Sequence, residues 1–412
     1  MYKYLLFRVF VMLTLVGVFS SCSQDDSDVE NLADNHAQPI EFTLDVTSRG
    51  AETTLSNLES IYVYGYYTDA DGEVQQCFDE ATYENGIVEF KKSSEGYYKP
   101  ETPIYWSKSW GETVTFLAFN PLNAKKGNLN DNANTEYETI KIEKVSKQDI
   151  RVKISPSRYA KDSFDFITAK ATVTKNDSRL GIPLSFSHQL SQIELKFKTS
   201  ENSDYSVDVY GACIALVRGC DSGSYNFTSN NFTDKSDSGI SLMWLNAEGK
   251  NIDTTPQSIN ENNGNIFFLP DSYSAYTFKK SGIFNWMQDV KYMYISLYTK
   301  VYDSEHKKIL YPTATDLTYT YRNASAMKNI FNYYEPDLPV TELGCSYLPI
   351  YTNIDFKPGY KYVITVDLTD GIGYINPADK EKPGESVLNP SLSAKVQVTE
   401  YKIGDDIPEV SE

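Results

Sequence analysis

Cys22 is the residue best placed for covalent chemistry, because it ends a segment suited to export and lipid attachment. Lys3 and Arg8 give this segment a positive start, residues 9–19 are mostly apolar, and two serines precede Cys22. The apolar run is shorter than the ~20 residues that a membrane-spanning helix needs. The sequence therefore predicts that residues 1–21 are cleaved and that acyl chains on Cys22 hold the protein on a membrane. An ordinary secretory signal with an incidental cysteine is the alternative.

Acid–base catalysis has few candidate residues in this chain, which contains only His36, His188 and His306. None of the three lies in a catalytic motif, and HExxH, GxSxG and CxxC patterns are absent. His188 alternates with apolar neighbours, which favours a histidine packed within a strand. Residues 221–223 resemble the Asp-Ser-Gly of a serine-protease loop, but Ser224 replaces the second glycine. We expect no catalytic residues, no cofactor and no enzyme activity.

Two carboxylates, those of Asp69 and Asp71, have the spacing that begins a calcium-binding loop. The further oxygen ligands that such a loop requires do not follow in the sequence. Asp71-Gly72 also lies between two strand-like segments, where Asp-Gly is typical of a hairpin turn. We therefore expect a turn here and no metal site.

Four cysteines follow the lipidation site: Cys77, Cys213, Cys220 and Cys345. An even number in an exported chain allows disulfides, and Cys213 and Cys220 are the only close pair. A hairpin could bring these two together, but buried free cysteine is also common. The sequence leaves the disulfide state of this pair open.

Trp106 and Trp110 flank a short segment that precedes a predicted strand. Exposed tryptophans stack on sugar rings, so glycan binding is one interpretation. Packing in a hydrophobic core is the other.

The composition favours strands over helices, because 32 Tyr and 20 Phe bring the aromatic share to 14%. Near the start of the mature chain, apolar Ile40, Phe42, Leu44 and Val46 alternate with polar residues, as in a strand with one buried face. Similar short runs recur at regular spacing, separated by turn residues. Strands are predicted, among others, at residues 61–67, 87–90, 114–119, 207–217, 292–298, 317–321 and 360–368, with one short helix at 325–331. The pattern predicts an all-β protein of antiparallel sandwiches.

A length of 412 residues suggests two domains. We predict an acidic tether at 22–38, an N-terminal sandwich at 39–182 and a C-terminal sandwich at 183–412. The last clear strand places Leu392, Ala394, Val396 and Val398 on one face. The formal net charge of −18 at pH 7 disfavours nucleic acid as a partner, because phosphate backbones are bound by clustered Lys and Arg.

Several segments together resemble the fimbrillin family, the pilus subunits and pilus-associated adhesins that certain Gram-negative anaerobes export as lipoproteins. The resemblance spans nearly all of the mature chain. It is carried, in order, by Ile40-Glu41-Phe42, Ser48-Arg49-Gly50, residues 61–67, Pro103-Ile104-Tyr105-Trp106, residues 114–121, 164–169 and 184–191, and Phe356-Lys357-Pro358-Gly359-Tyr360-Lys361-Tyr362.

The resemblance implies two tandem transthyretin-like sandwiches and a particular assembly route. In polymerising members a trypsin-like protease cuts after an arginine that ends the first strand, which here corresponds to the Arg49–Gly50 bond. The first strand then leaves, and a carboxy-terminal strand from another subunit takes its place. That donor maps onto residues 392–403 of this chain. A purely structural arginine at a strand end is the alternative role for Arg49.

The leading hypothesis is therefore a structural or adhesive subunit of a fimbria, located at the outer membrane and cell surface and assembled by donor-strand exchange. Its expected partners are other fimbrial subunits, the maturation protease, outer-membrane lipid before cleavage, and a host protein or glycan. An uncleaved surface lipoprotein that anchors a pilus or binds glycans is the alternative. The sequence does not distinguish a shaft, tip or anchor subunit.

Overall fold

A computed structural model describes residues 39–44, 58–122, 140–260, 264–276, 290–317, 334–375, 384–388 and 395–402. Several predicted features lie outside these residues: Cys22, Val46, Arg49, Gly50, Leu392, Ala394, the segments 1–21 and 22–38, and the helix at 325–331.

The largest sheet, sheet 1, is built from the first part of the chain. With strands numbered in chain order, its members are β1 Phe42–Leu44, β2 Ser60–Thr68, β3 Val74–Gln76, β4 Ile87–Lys92, β5 Tyr98–Pro100, β6 Thr113–Asn120, β9 Ile167–Thr174, β10 Ile182–Leu184 and β11 Ser187–His188. The strand order is β10-β1-β5-β4-β2-β6-β9-β11, and β3 pairs with β2.

The later part of the chain forms two larger sheets and a two-stranded one. Sheet 2 contains β12 Ser191–Lys198, β17 Asn265–Phe268, β23 Tyr360–Asp367 and β24 Lys395–Lys402, in the order β17-β12-β23-β24. Sheet 3 contains β13 Tyr205–Val217, β16 Ile240–Asn251, β19 Tyr292–Asp303, β20 Ile309–Tyr311 and β21 Gly344–Pro349. Its order is β16-β13-β19-β20, with β21 also paired to β19. The small sheet pairs β18 Ser272–Tyr273 with β22 Ile354–Asp355.

Sheet 4 joins distant parts of the chain. It contains β7 Ile140–Ser146, β8 Asp149–Ile154, β14 Gly223–Asn226 and β15 Asn231–Thr233, in the order β15-β14-β8-β7. Two of these strands precede the predicted domain boundary at 182/183 and two follow it. The division into 39–182 and 183–412 stays a prediction, and the two parts share this sheet.

Sheet 1 buries side chains on both of its faces, as its apolar strand sequences require. On one face Ile61 and Val63 of β2 belong to a core that also includes Phe90 and Phe116. On the other face Tyr64 packs in a second core, which contains side chains of sheet 4 such as Val152. Sheet 4 therefore covers one side of sheet 1.

Sheets 2 and 3 enclose the largest core. In β12 the apolar residues Ile193, Leu195 and Phe197 are fully buried and alternate with partly exposed polar residues, as the sequence predicts. Trp244 of β16 is also fully buried, and its indole N–H donates to the Gly264 carbonyl. The two sheets thus form a sandwich with one hydrophobic interior.

Helical structure is sparse in the described residues. Short 3₁₀ turns lie at Glu84–Gly86, Ala160–Asp162, Asp177–Leu180 and Val340–Glu342, and residues 314–317 form one helical turn. Leu317, predicted to begin a strand, is therefore helical, and residues 318–321 lie outside the described part. In the ranges described, no helix is long and apolar enough to cross a membrane. The prediction of an all-β sandwich fold is confirmed.

Candidate functional site

The first strand of sheet 1 has a neighbour on each side. Phe42, Thr43 and Leu44 of β1 pair in parallel with Ile182, Pro183 and Leu184 of β10. On the other side Phe42 pairs antiparallel with Tyr98 of β5. The backbone N–H of Ile40 donates to the Ile104 carbonyl at 2.8 Å. We call the space between β10 and β5 that this strand occupies the β1 slot.

Apolar side chains fix the first strand in the β1 slot. Phe42 is 0% exposed and Ile40 is 1% exposed. The ring of Phe42 makes edge-to-face contacts with the rings of Phe90 at 4.8 Å and Phe116 at 5.3 Å between centroids. Leu44 is partly buried against the same core. Burying each of the first two side chains stabilises the fold by roughly 1.5–3 kcal/mol.

The opposite face of this segment is polar. Glu41 forms an ion pair with Lys99 at 3.3 Å, and both side chains are at least a quarter exposed. Such a pair contributes little to stability because water screens it. The hold on the first strand therefore comes from its apolar face and its backbone hydrogen bonds.

Removing residues 39–44 would expose two strand edges and an apolar trough together. The parallel edge of β10 and the antiparallel edge of β5 would lose their shared partner, and Phe90 and Phe116 would lose the ring packed against them. Unpaired strand edges beside apolar surface are a template for another strand. The slot thus has the geometry that strand replacement requires.

The predicted donor strand lies at the edge of sheet 2. Within the part of the chain that the structure describes, β24 pairs with β23 alone, antiparallel from Lys395 opposite Asp367 to Lys402 opposite Tyr360. Val398 lies opposite Ile364 and packs against the core, and Val396 lies opposite Val366. The described part of this strand therefore packs Val398 on the core and has one edge without a partner strand in the described ranges.

The structure places the two predicted strands in different sheets of the same chain. It also brings β10 and β5 to the first strand, which sequence reasoning missed. Leu184 lies just past the predicted domain boundary and pairs with Leu44 of the first strand. Only the alternation of Ile182 and Leu184 around Pro183 signals this short strand, and alternation does not reveal a strand's partner.

His188 is confirmed as a packed strand histidine. It lies in β11 opposite Ile167, its side chain is 8% exposed, and its Nδ1 contacts the Asp165 carboxylate. No group of three or more His, Cys, Asp or Glu side chains in the described ranges could hold a metal ion.

Asp69 organises a hairpin turn between β2 and β3. Its Oδ1 accepts the backbone N–H groups of Asp71 at 3.1 Å and Glu73 at 2.9 Å, and its Oδ2 accepts from the Gln75 amide. These bonds hold the pKa of Asp69 below its usual range, the Gln75 bond most strongly. The predicted Asp-Gly turn is confirmed.

The tryptophans pack in the core of sheet 1. Trp106 is 7% exposed and its ring meets those of Trp110 and Phe116 at 5.5 and 6.4 Å. Trp110 is partly buried and also contacts Phe78 and Tyr67. Core packing therefore accounts for this pair, and the surface left to Trp106 is too small for a sugar platform.

The cysteines after the lipidation site are all free. Cys213 is buried in sheet 3, whereas the Cys220 thiol donates to Asp271 at 3.2 Å. Burial, followed by the Asp271 carboxylate, raises the pKa of Cys220 to about 11. We expect that reduction leaves the intact mass of the mature chain unchanged and that native protein reacts slowly with thiol reagents at neutral pH. A mass increase on reduction would reveal a disulfide and contradict this assignment.

Asp221 lies in the Asp-Ser-Gly loop and connects this loop to neighbouring segments by hydrogen bonds. Its carboxylate accepts from Arg158 at 3.2 Å and from the Ser236 hydroxyl. Burial opposes ionisation, yet the hydroxyls of Ser236 and Ser238 and the Arg158 charge hold the pKa of Asp221 below its ordinary value. This loop is tied in place by hydrogen bonds.

Asp221 should therefore stabilise the fold above its unfolded-state pKa, and this contribution should be lost as pH falls through the lower folded-state pKa. We expect Asp221→Asn to lower the free energy of unfolding at about pH 7 and to have a smaller effect near pH 3. Urea unfolding at both pH values measures the free energy of unfolding of the variant and the unmodified protein. Asp237→Asn removes the exposed partner of Arg218 and serves as the control. An Asp221→Asn effect that is equal at both pH values would contradict the assignment.

Comparison with known proteins decides the family. A family model described as fimbrillin-like matches residues 48–390. The chain belongs to the fimbrillin-like family. No curated protein sequence matches it.

Solved structures similar to this fimbrillin-like protein come from Bacteroides and Parabacteroides species. A candidate cell adhesion protein from Bacteroides uniformis is 13% identical with a TM-score of 0.40, covering 89% of this chain and 98% of its own. A candidate cell adhesion protein from Parabacteroides distasonis is 7% identical with a TM-score of 0.38. The match covers 89% of this chain and 97% of that protein. A candidate polysaccharide-binding protein from Bacteroides thetaiotaomicron is 11% identical with a TM-score of 0.33. That match covers 81% of this chain and 92% of that protein.

Membership of the fimbrillin-like family indicates where the protein lies and what its role is. It implies a place at the cell surface and a role in fimbriae or adhesion, with other fimbrial subunits as partners.

Proposed function

We propose that this fimbrillin-like protein is a non-enzymatic structural or adhesive subunit of a fimbria that assembles by donor-strand exchange. It reaches the outer membrane as a lipoprotein through Cys22. A trypsin-like protease cuts after Arg49, and the strand containing Ile40, Phe42, Leu44 and Val46 leaves. The carboxy-terminal strand of another subunit, with Leu392, Ala394, Val396 and Val398, then fills the β1 slot.

One observation carries the proposal: the first strand is held between β10 and β5 with Phe42 fully buried. Losing this strand leaves both a pair of backbone edges and a hydrophobic trough unfilled. The chain's own β24 already pairs with β23 in another sheet. In a neighbouring copy β24 is paired in the same way, so donation to the β1 slot requires it to leave β23 first.

Incubating the purified precursor with a trypsin-like protease tests the proposal. We expect a cut after Arg49, a new amino terminus at Gly50 and a ladder of oligomers. Protein that is cut at Arg49 and yet stays monomeric would contradict strand exchange. Fatty acid retained on the protein as found on cells would favour the alternative, an uncleaved anchor.

A further inference from the structure

A shallow, open cavity of about 360 Å³ lies on the surface of sheet 3, away from the β1 slot. It is lined by Ser206, Asp208, Gly249, Asn251 and His306, which come from β13, from β16 and from the turn after β19. Such a shallow site could hold one sugar ring with one face left in solvent. The fimbrial assembly route leaves this cavity without a role.

A hydrogen-bond network fixes the polar groups of the cavity. The Asn251 amide donates to Ser206 Oγ and to Asp208 Oδ1, both at 2.8 Å. His306 Nδ1 lies 3.1 Å from Ser206 Oγ, and its Nε2 lies 3.5 Å from Asp208 Oδ2. From the residues that the structure describes, the carboxylate thus has one short bond and one long contact, although it can accept about four. Its spare lone pairs can accept hydrogen bonds from a ligand.

Three unusual backbone features converge on the same cavity. The register of β13 shifts between Val209 and Gly211 against both of its neighbours, as at a β-bulge. Gly249 has φ +77° and lies so close to Tyr210 that a Cβ would be 2.6 Å from the ring. His306 has φ 57°, a left-handed conformation that is uncommon for residues other than glycine. Bulges and strained residues cluster at functional sites.

The stacked rings of His306 and Tyr302, and the exposure of His306 and Asp208, indicate the kind of ligand that the cavity takes. His306 is 46% exposed and stacks on Tyr302 with ring centroids 3.9 Å apart, whereas Asp208 is 14% exposed. A carboxylate, an amide, a hydroxyl and an imidazole side by side match the mixed donors and acceptors of adjacent sugar hydroxyls. The carboxylate repels anions, which disfavours phosphates and acidic sugars.

A hydrolytic site is a poorer match to the same residues. In a serine hydrolase the carboxylate holds the imidazole by a short hydrogen bond. Here the Asp208–His306 separation of 3.5 Å is beyond the usual length of such a bond. We propose that this cavity binds a neutral sugar residue, with Asp208 accepting from its hydroxyls and His306 forming the wall. This inference is independent of strand exchange, which involves sheet 1.

Titrating residues 22–412, without lipid, with methyl glycosides of neutral hexoses and N-acetylhexosamines tests the proposal, with saturation-transfer NMR as the readout. We expect at least one glycoside to bind at millimolar concentration. Asp208→Asn should weaken that binding by at least about tenfold, because a charged acceptor is lost. Asp237→Asn, which changes an exposed carboxylate outside the cavity, should leave it unchanged.

His306→Asn provides a second variant, since asparagine tolerates the left-handed backbone. It should also weaken binding, while thermal unfolding confirms that each variant is folded. The proposal is overturned if no neutral glycoside binds, if both cavity variants bind like the unmodified protein, or if sialic acid binds more tightly than the neutral glycosides.

Discussion

Replacing Phe42 with alanine is expected to lower the free energy of unfolding of the uncut precursor by about 3–5 kcal/mol. The ring is fully buried and packs edge-to-face on Phe90 and Phe116, so its removal leaves a cavity in the core of sheet 1. Urea unfolding of the precursor measures the change. Glu41→Ala, on the polar face of the same segment, is the matched control and should cost less than about 1 kcal/mol.

The same substitution distinguishes strand release from simple destabilisation. If the first strand leaves after cleavage, residue 42 departs with it, and the assembled polymers from both proteins should be equally stable. A Phe42→Ala effect that persists after cutting and assembly would mean that the original strand stays in the β1 slot. A precursor effect below about 1 kcal/mol would contradict the burial of Phe42.

Arg49→Ala is expected to abolish both clipping and polymer formation. A trypsin-like protease requires a positively charged side chain before the scissile bond, so alanine removes the recognised group. Arg49→Lys retains the charge and should still be cut and assemble, which makes it the matched control. Gel analysis after protease treatment gives the oligomer distribution, and mass spectrometry gives the amino terminus.

The lipid provides a second readout of the Arg49 variants on cells. Cleavage at residue 49 separates the acylated Cys22 from the rest of the subunit. Arg49→Ala protein should therefore remain bound to membranes by its acyl chains, whereas Arg49→Lys protein should be recovered without them. Arg49→Ala protein that still forms ladders would show that a cut after Arg49 is not the trigger.

Local patterns predicted much of the fold, because burial on one face of a strand leaves a trace in the sequence. The alternation of Ile193, Leu195 and Phe197 located β12 in this way. The first strand was predicted from Ile40, Phe42 and Leu44, whose described positions are buried or half-buried as expected.

Pairing partners could not be predicted, because alternation identifies a buried face and not the strand beside it. The parallel contact of β1 with β10 joins residues about 140 positions apart, and sheet 4 joins segments on either side of the predicted domain boundary. The cavity on sheet 3 was missed for the same reason. Ser206 and His306 are 100 residues apart in the chain, and neither lies in a motif.

Cryo-electron microscopy of the polymer formed after cleavage tests the central claim most directly. We predict density between β10 and β5 that continues into residues 392–403 of the adjacent subunit, with Val396 and Val398 turned towards Phe90 and Phe116. Density for residues 39–47 of the same chain in that position, with subunits touching through other surfaces, would contradict the account.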